Sequence, residues 1–211
     1  MSGIVGQNTL DNSGLIKAPA AGGGAWNFIK KLTASASGDL SFVDGTSDVV
    51  LDSTYKEYVF TFNNMHPEND DAFFEFNMSV DTGSNYNVAK TSTFFRVIQT
   101  QTGGLTLLGY STGDDLAQGT GFQHLIEYGY NDTTSSASGT LHLFNPSSTT
   151  FIKHFIAETQ YRRSYSSQSH ASAIDYVGGY GNTTSAVDAV KFQYASGNID
   201  AGDICLYGIT T

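Results

Sequence analysis

Histidines and paired carboxylates are the residues of this chain that could carry acid–base or metal chemistry. His142 and His154 lie on two predicted strands joined by a short turn, so their imidazoles could face one another across a hairpin. A zinc site needs a third and a fourth ligand at defined spacing. We therefore interpret these two histidines as half-buried polar residues and predict no metal site.

Neighbouring carboxylates occur at Asp70-Asp71 and at Asp114-Asp115. Glycoside hydrolysis requires two carboxylates about 5–10 Å apart on opposite sides of a cleft. Sequence neighbours in a turn point to opposite sides, so we expect these pairs to stay solvated. The chain also has no Gly-x-Ser-x-Gly nucleophile turn and no phosphate-binding glycine loop. The sequence therefore predicts a protein that is not an enzyme.

The segment Asp81-Thr-Gly-Ser-Asn-Tyr-Asn87 offers oxygen ligands of the kind that calcium prefers. It lacks the bidentate glutamate and the twelve-residue frame of an EF-hand, so we predict no bound metal or other cofactor. The single cysteine, Cys205, cannot form an internal disulfide, and its position fits a small buried hydrophobe in a strand.

Composition argues against two classes of protein. The formal net charge is −10 and the ten lysines and arginines are spread along the chain, so nucleic-acid binding is not expected. No apolar run approaches the ~20 residues of a membrane-spanning helix.

Residues 1–25 lack the features of a secretory signal, so we expect a protein made in a cytoplasm. Charged residues make up only 14%, and the abundance of Gly, Ser, Thr and Asn is typical of β-rich extracellular or virion surfaces.

Alternation of apolar and polar residues predicts an all-β fold. Val190, Phe192 and Tyr194 alternate with polar residues, and the last stretch, 203–209, is apolar on both faces. A strand of that kind lies inside a sheet, so it must insert between strands formed earlier in the chain. About ten strands and no helix predict one antiparallel, jelly-roll-like sandwich over residues 25–211.

Nine apolar residues at inward positions of the predicted strands are expected to be buried: Tyr58, Phe60, Phe74, Phe76, Phe95, Leu141, Phe155, Phe192 and Leu206. Two polar segments interrupt the strands. Residues 114–121 are predicted to form an ordered loop, and residues 161–170 a projecting loop.

Residues 1–24 are predicted to form an extended arm, because they are rich in glycine and alanine and follow neither a strand nor a helix period. The isolated apolar residues of this segment are spaced like anchors for separate shallow pockets: Ile4, Val5, Leu10, Leu15 and Ile16. The arm could fold back on its own domain, or it could dock on a neighbouring subunit or a larger assembly.

Several phrases together resemble a family of virion structural proteins of bacteriophages that infect marine and freshwater bacteria. These phrases are Gly24-Ala-Trp-Asn27, Asp52-Ser-Thr-Tyr-Lys-Glu-Tyr58, Asp81-Thr-Gly-Ser-Asn-Tyr-Asn-Val88, Asp115-Leu-Ala-Gln118, Leu141-His-Leu-Phe-Asn-Pro-Ser-Ser-Thr-Thr-Phe-Ile-Lys-His-Phe155, Gly181-Asn-Thr-Thr-Ser-Ala-Val187, Gly197-Asn-Ile-Asp-Ala-Gly202 and Leu206-Tyr-Gly-Ile209. The resemblance spans residues 24–209 and implies a jelly-roll sandwich without enzymatic activity. It leaves open a place on the capsid or on a tail appendage.

The leading functional prediction is a trimeric capsid decoration or cement protein that binds the major capsid protein of a virion, partly through its arm. Arg162 and Arg163 are the residues expected to form ion pairs with neighbouring subunits. The alternative is a tail-fibre or receptor-binding protein that contacts tail proteins or a host surface glycan. That alternative would use a platform of exposed rings from Tyr128, Tyr130, Tyr161 or Tyr165.

Overall fold

This computed structural model describes residues 25–165 and 169–210, and these ranges contain twelve β-strands and no helix. Those ranges therefore hold no helix that could cross a membrane. The strands are β1 (Trp26–Ser37), β2 (Leu40–Val43), β3 (Glu57–Pro67), β4 (Ala72–Ser79), β5 (Lys90–Thr100), β6 (Thr106–Tyr110), β7 (Gln123–Gly129), β8 (Ala137–Phe144), β9 (Lys153–Tyr165), β10 (Ser169–Gly181), β11 (Ala189–Tyr194) and β12 (Ile199–Ile209).

The strands form two antiparallel sheets that pack as a sandwich. The larger sheet has eight strands in the order β1-β12-β3-β8-β9-β10-β5-β6, and the smaller has four in the order β2-β11-β4-β7. The last strand, β12, lies between β1 and β3, as its two apolar faces predict. Gly208 on β12 is required by a close approach, since the ring of Tyr55 occupies the space that a Cβ at this position would need.

Aromatic rings from both sheets fill the centre of the sandwich around Phe192 on β11. The ring centroid of Phe192 lies 5.1–6.3 Å from those of five other phenylalanines: Phe42, Phe60, Phe62, Phe74 and Phe76. Burial of eight of the nine predicted core residues confirms those predictions: Tyr58, Phe60, Phe74, Phe76, Leu141, Phe155, Phe192 and Leu206. The core therefore depends on side chains contributed by strands far apart in the sequence.

The prediction that Phe95 is buried is wrong, because its side chain is 41% exposed. Phe94 and Phe95 are neighbours on β5, and successive side chains of a strand point to opposite faces. Phe94 takes the inward position and is fully buried. Phe95 points outward and stacks on Tyr176 of β10, with ring centroids 4.9 Å apart.

The prediction of a projecting loop at residues 161–170 is also wrong for residues 161–165, 169 and 170, and residues 166–168 lie outside the described residues. β9 continues to Tyr165 and β10 begins at Ser169, and the two strands pair with Tyr161 opposite Ala173. Tyr161 is buried, whereas Arg162 lies at an outward position. The polar composition that suggested a loop is that of the solvent-facing side of a long hairpin. The ordered loop predicted at residues 114–121 lies between β6 and β7, and Gly119 pairs with Lys90.

β1 is a strand that the sequence pattern does not predict. Its pairing with β12 shifts by one residue between Phe28 and Lys30, so the alternation of inward and outward side chains is interrupted at Ile29. The following residues are mostly polar or small and give no clear period of two. Pairing with β12 decides the structure here, as tertiary context often does for strands.

We predict that Phe192→Ala lowers the free energy of unfolding by about 3–5 kcal/mol, because it opens a large cavity between the sheets. The matched control is Phe151→Ala, since Phe151 lies before β9 and its side chain is 68% exposed. The control should cost less than about 1 kcal/mol in urea unfolding experiments. Equal losses at the two positions would contradict the packing described here.

Candidate interaction surface

The outer face of the eight-stranded sheet carries apolar side chains where a solvated sheet face is usually polar. These apolar side chains form two groups, and the first group lies on β1, β12, β3 and β8. Val59 points outward from β3 yet is fully buried, and its cross-strand neighbours are Tyr207 and His142. The ring centroid of Trp26 lies 5.4 Å from that of Tyr207 and 6.5 Å from that of His142. The ring centroids of Phe28 and Tyr207 are 5.7 Å apart. These rings cover Val59 and form an aromatic layer outside the sandwich.

A second apolar group lies at the other side of the same face, on β10, β5 and β6. Phe95 and Tyr176 stack there, and Tyr110 lies opposite Phe95 on the edge strand β6. Leu108, opposite Val97, has a side chain that is 73% exposed. Large apolar side chains at this level of exposure typically mark a contact surface.

Ile156 on β9 connects the two groups. It lies opposite His142 of β8 and opposite Gly178 of β10, and it is 57% exposed. We call the whole set the outer aromatic band, which consists of Trp26, Phe28, Val59, Phe95, Val97, Leu108, Tyr110, His142, Ile156, Tyr176 and Tyr207. The band reaches across all eight strands of the larger sheet.

The outer aromatic band is not predicted from the sequence. A signal for it existed in strands with apolar residues on both faces, such as the adjacent Phe94 and Phe95 on β5. A period of two assigns one face of each strand to the core, but it does not tell whether the second face is covered. Only the strand order brings these outward residues into one surface.

The arginines predicted to contact neighbouring subunits both have acidic partners within their own chain. Arg162 lies 3.6 Å from the Asp132 carboxylate. Arg163 donates to Glu127 at 2.8 Å, and its guanidinium lies 4.4 Å above the ring of Tyr128. Their role between subunits stays a prediction. The predicted anchors of the arm, namely Ile4, Val5, Leu10, Leu15 and Ile16, lie outside the described residues.

A buried polar network joins the edge strand β7 to the larger sheet. Glu127 of β7 contacts both Arg163 of β9 and Arg96 of β5. Its backbone N–H donates to the carboxylate of Asp175 at 3.0 Å. Burial raises the pKa of Asp175 to about 7, and the phenol of Tyr161 lies beside it. Two cations and two carboxyl groups thus hold the sheets together where apolar packing ends, which is a structural role.

A histidine and two carboxyl groups meet on β4, β7 and the loop before β7. Nδ1 of His124 lies 2.8 Å from Asp114, Nε2 lies 3.7 Å from Glu75, and the ring stacks on Phe73 at 4.3 Å. The prediction that Asp114 is solvated is wrong, because its side chain is buried. Burial alone would raise the pKa of Asp114, but hydrogen bonds from His124 and Ser111 hold it below its usual value.

This arrangement does not present a nucleophile to the histidine, since both ring nitrogens of His124 face carboxyl groups. Within the described ranges, no group of three or more His, Cys, Asp or Glu side chains is arranged to hold a metal ion. The histidines of the β8–β9 hairpin are offset, because His142 lies opposite Ile156 and His154 opposite Phe144. His142 instead bonds to Glu57, with its Nδ1 2.6 Å from the carboxylate.

The oxygen-rich segment at residues 81–87 uses its carboxylate to shape a turn. One oxygen of Asp81 accepts from the hydroxyl of Ser79 at 2.7 Å and from the backbone N–H of Asn85 at 2.8 Å. The other accepts from the Asn85 side chain at 2.7 Å. These hydrogen bonds lower the pKa of Asp81 and explain why the sequence places an aspartate here.

A polar cavity of about 510 Å³ lies on the outer face beside the outer aromatic band, near the β9–β10 hairpin. Amide side chains, a guanidinium and an imidazole line it, from Gln99, Gln101, Gln160, Arg162 and His170. Such groups both donate and accept hydrogen bonds, so they could bind sugar hydroxyls or other polar ligands.

We predict that the wild-type protein loses stability relative to Asp175→Asn as the pH rises from 4 to 7. The folded-state pKa of Asp175 is raised to about 7, so its contribution is full below the unfolded pKa near 4 and is lost as the pH approaches 7. The relative loss should reach roughly 4 kcal/mol at most. Burial also lowers the pKa of Lys90 to about 7. Its titration therefore changes the free energy of unfolding mainly above pH 7, outside the range of this comparison.

The measurement is urea unfolding of both proteins at several pH values between 4 and 7. Asparagine keeps an oxygen that accepts from the Glu127 N–H, so the variant should fold. Parallel stability profiles for the two proteins over this range would contradict the assignment of a raised pKa to Asp175.

The outer aromatic band and the polar cavity are the described features best suited to bind a partner. Comparison of the chain with models of protein families, with curated proteins and with solved structures finds no match. We therefore infer function from these two surfaces, from the strand order and from the sequence.

Proposed function

We propose that this protein is a non-enzymatic structural protein of a bacteriophage virion and that it decorates the capsid as a homotrimer. The observation that carries the proposal is the strand order of the sandwich. Without the hairpins β5-β6 and β9-β10, four strands in the order β1-β12-β3-β8 face four in the order β2-β11-β4-β7. We interpret this interleaving as an eight-stranded jelly roll, an architecture that recurs in viral capsid proteins.

The two additional hairpins contribute core residues such as Phe94 and Phe155, and their outward side chains also support a role in binding. They extend only the larger sheet, on the side of β8, and so widen its outer face from four strands to eight. Half of the outer aromatic band lies on this extension, including Phe95, Leu108 and Tyr110. A broad apolar face is of use to a protein that packs against others in an assembly.

The N-terminal segment adds a second attachment in this proposal. It joins the described domain at Ala25, directly before Trp26 of the outer aromatic band. Each of its apolar residues could contribute roughly 1.5–3 kcal/mol of burial free energy to binding, before the cost of ordering the segment. The major capsid protein is the partner expected for it, in the virion.

We predict that deleting residues 1–21 leaves the sandwich folded but lowers the occupancy of the protein on capsids. The described residues of the core extend from Ala34 to Leu206, with Ile29 and Leu32 packed against them, so the unfolding midpoint of the truncated protein in urea should stay close to that of the full chain. Occupancy is measured by adding full-length and truncated protein to undecorated capsids and quantifying the bound protein on gels.

The full-length chain is the reference, and Phe151→Ala is a control that keeps the N-terminal segment. Equal occupancy of truncated and full-length protein would exclude attachment through residues 1–21. Absence of capsid binding by the full-length chain would contradict the decoration role itself.

A tail appendage that recognises a host glycan is the second candidate, and the polar cavity favours it. Among the described side chains, the ring platform expected for this function is not formed as predicted. Tyr161 is buried, and Tyr128 is half-buried beneath the guanidinium of Arg163. Of the other two rings, Tyr130 is half-buried and the side chain of Tyr165 lies outside the described residues. Binding of host surface polysaccharide that is lost in Gln160→Ala would favour this candidate over capsid decoration.

A further inference from the structure

We propose that the outer aromatic band is the surface through which copies of this chain associate with each other. The inference rests on the homo-oligomer in the proposed function and names the face that forms it. Each copy places its band on the neighbouring copy, so that the exposed rings and aliphatic side chains of both become buried. The size, the shape and the charge of this face support this assignment.

The size of the band fits a stable protein interface. Seven inter-strand spacings make the outer face about 34 Å wide, and four successive outward positions along the strands extend about 20 Å. The rectangle of the outer face that encloses the band, in which each strand contributes one or two band residues, therefore measures roughly 700 Å², close to the ~800 Å² that each partner buries in an interface of standard size. The band holds aromatic residues of the kind enriched in interface cores, including Trp26, Phe28 and Tyr110.

The shape of the band favours a second sheet as its partner. Sheets pack face to face about 10 Å apart, with the side chains of the two faces interdigitating. Exposed side chains such as Leu108 and Ile156 project from a broad sheet face, which is how one sheet meets another inside this sandwich. A second copy supplies a face of the same width and the same apolar character.

The charge of the chain restricts where two copies can meet. With a formal net charge of −10, most surfaces of two copies would bring carboxylates together. The strands of the band contribute three outward carboxylates near its apolar residues, Glu57, Glu158 and Asp203, of which Glu57 is bonded to His142 and Asp203 lies 3.5 Å from Lys31. Association through the band therefore avoids most of the repulsion between copies.

The test is the molar mass of the purified full-length chain, measured by sedimentation equilibrium from about 1 to 100 µM without capsids. Two single variants place a charge within the band, Leu108→Glu and Ile156→Glu. The control is Phe151→Glu, which makes the same kind of change at a side chain that is 68% exposed but lies off the sheet face. Urea unfolding verifies that all three variants fold.

We expect the wild type and Phe151→Glu to associate, and each band variant to raise the dissociation constant about tenfold or more. A wild type that stays monomeric throughout would overturn the proposal. So would association that is unaffected by both band variants. Self-association that arises only after deletion of residues 1–21 would identify the N-terminal segment as the occupant of the band, which also overturns it.

These outcomes are independent of the virion. Copies that associate through the band but do not bind capsids would leave the inference intact and contradict the decoration role. Monomers that nevertheless bind capsids would overturn the inference and leave the decoration role intact.

Discussion

The pairing of β12 with both β1 and β3 is the interaction on which the rest of the structure depends. It brings Trp26 opposite Ile209, so the two ends of the described chain lie in one sheet. It also places Ile204 and Leu206 in the core, and Tyr207 on the outer face beside Trp26. One strand thus closes the sandwich on one side and assembles half of the outer aromatic band on the other. Because these contacts join distant parts of the sequence, the fold has to form from non-local pairings.

The difference in width between the two sheets explains where the polar side chains are buried. Four strands cannot cover the inner face of eight, so β7, the edge of the smaller sheet, meets β5, β9 and β10 through charged groups. Beyond β7, the loop after β6 covers the inner face of the larger sheet. The backbone of this loop forms hydrogen bonds with β5 at Ser92 and Lys90. The chain therefore covers its inner face with its own atoms, whereas much of the outer aromatic band stays exposed.

Much of the fold could be predicted from the sequence, because inward residues at a period of two report directly on burial. The inward phenylalanines of β3, β4 and β11 are examples, and so is the central place of β12. The failures have physical causes. A bulge hides the period of β1, two adjacent phenylalanines compete for one inward position on β5, and a long hairpin with a polar outer side resembles a loop.

The candidate site was less accessible to sequence reasoning than the core. Outward residues such as Phe28, Ile156 and Leu108 are far apart in the sequence, and no local pattern tells that they share one face. Arg163 shows the converse, since a charged residue in a polar stretch packs inside against Glu127. Strand order is the information that a single sequence does not state, and both the surface and the buried network depend on it.

The number of copies in each virion tests the central claim most directly, since decoration proteins occupy repeated positions of the capsid lattice and tail appendages do not. Quantitative gel analysis of purified particles, with the major capsid protein as internal standard, gives this number. Capsid decoration predicts hundreds of copies per particle. A few tens of copies or fewer would contradict it and place the protein on the tail.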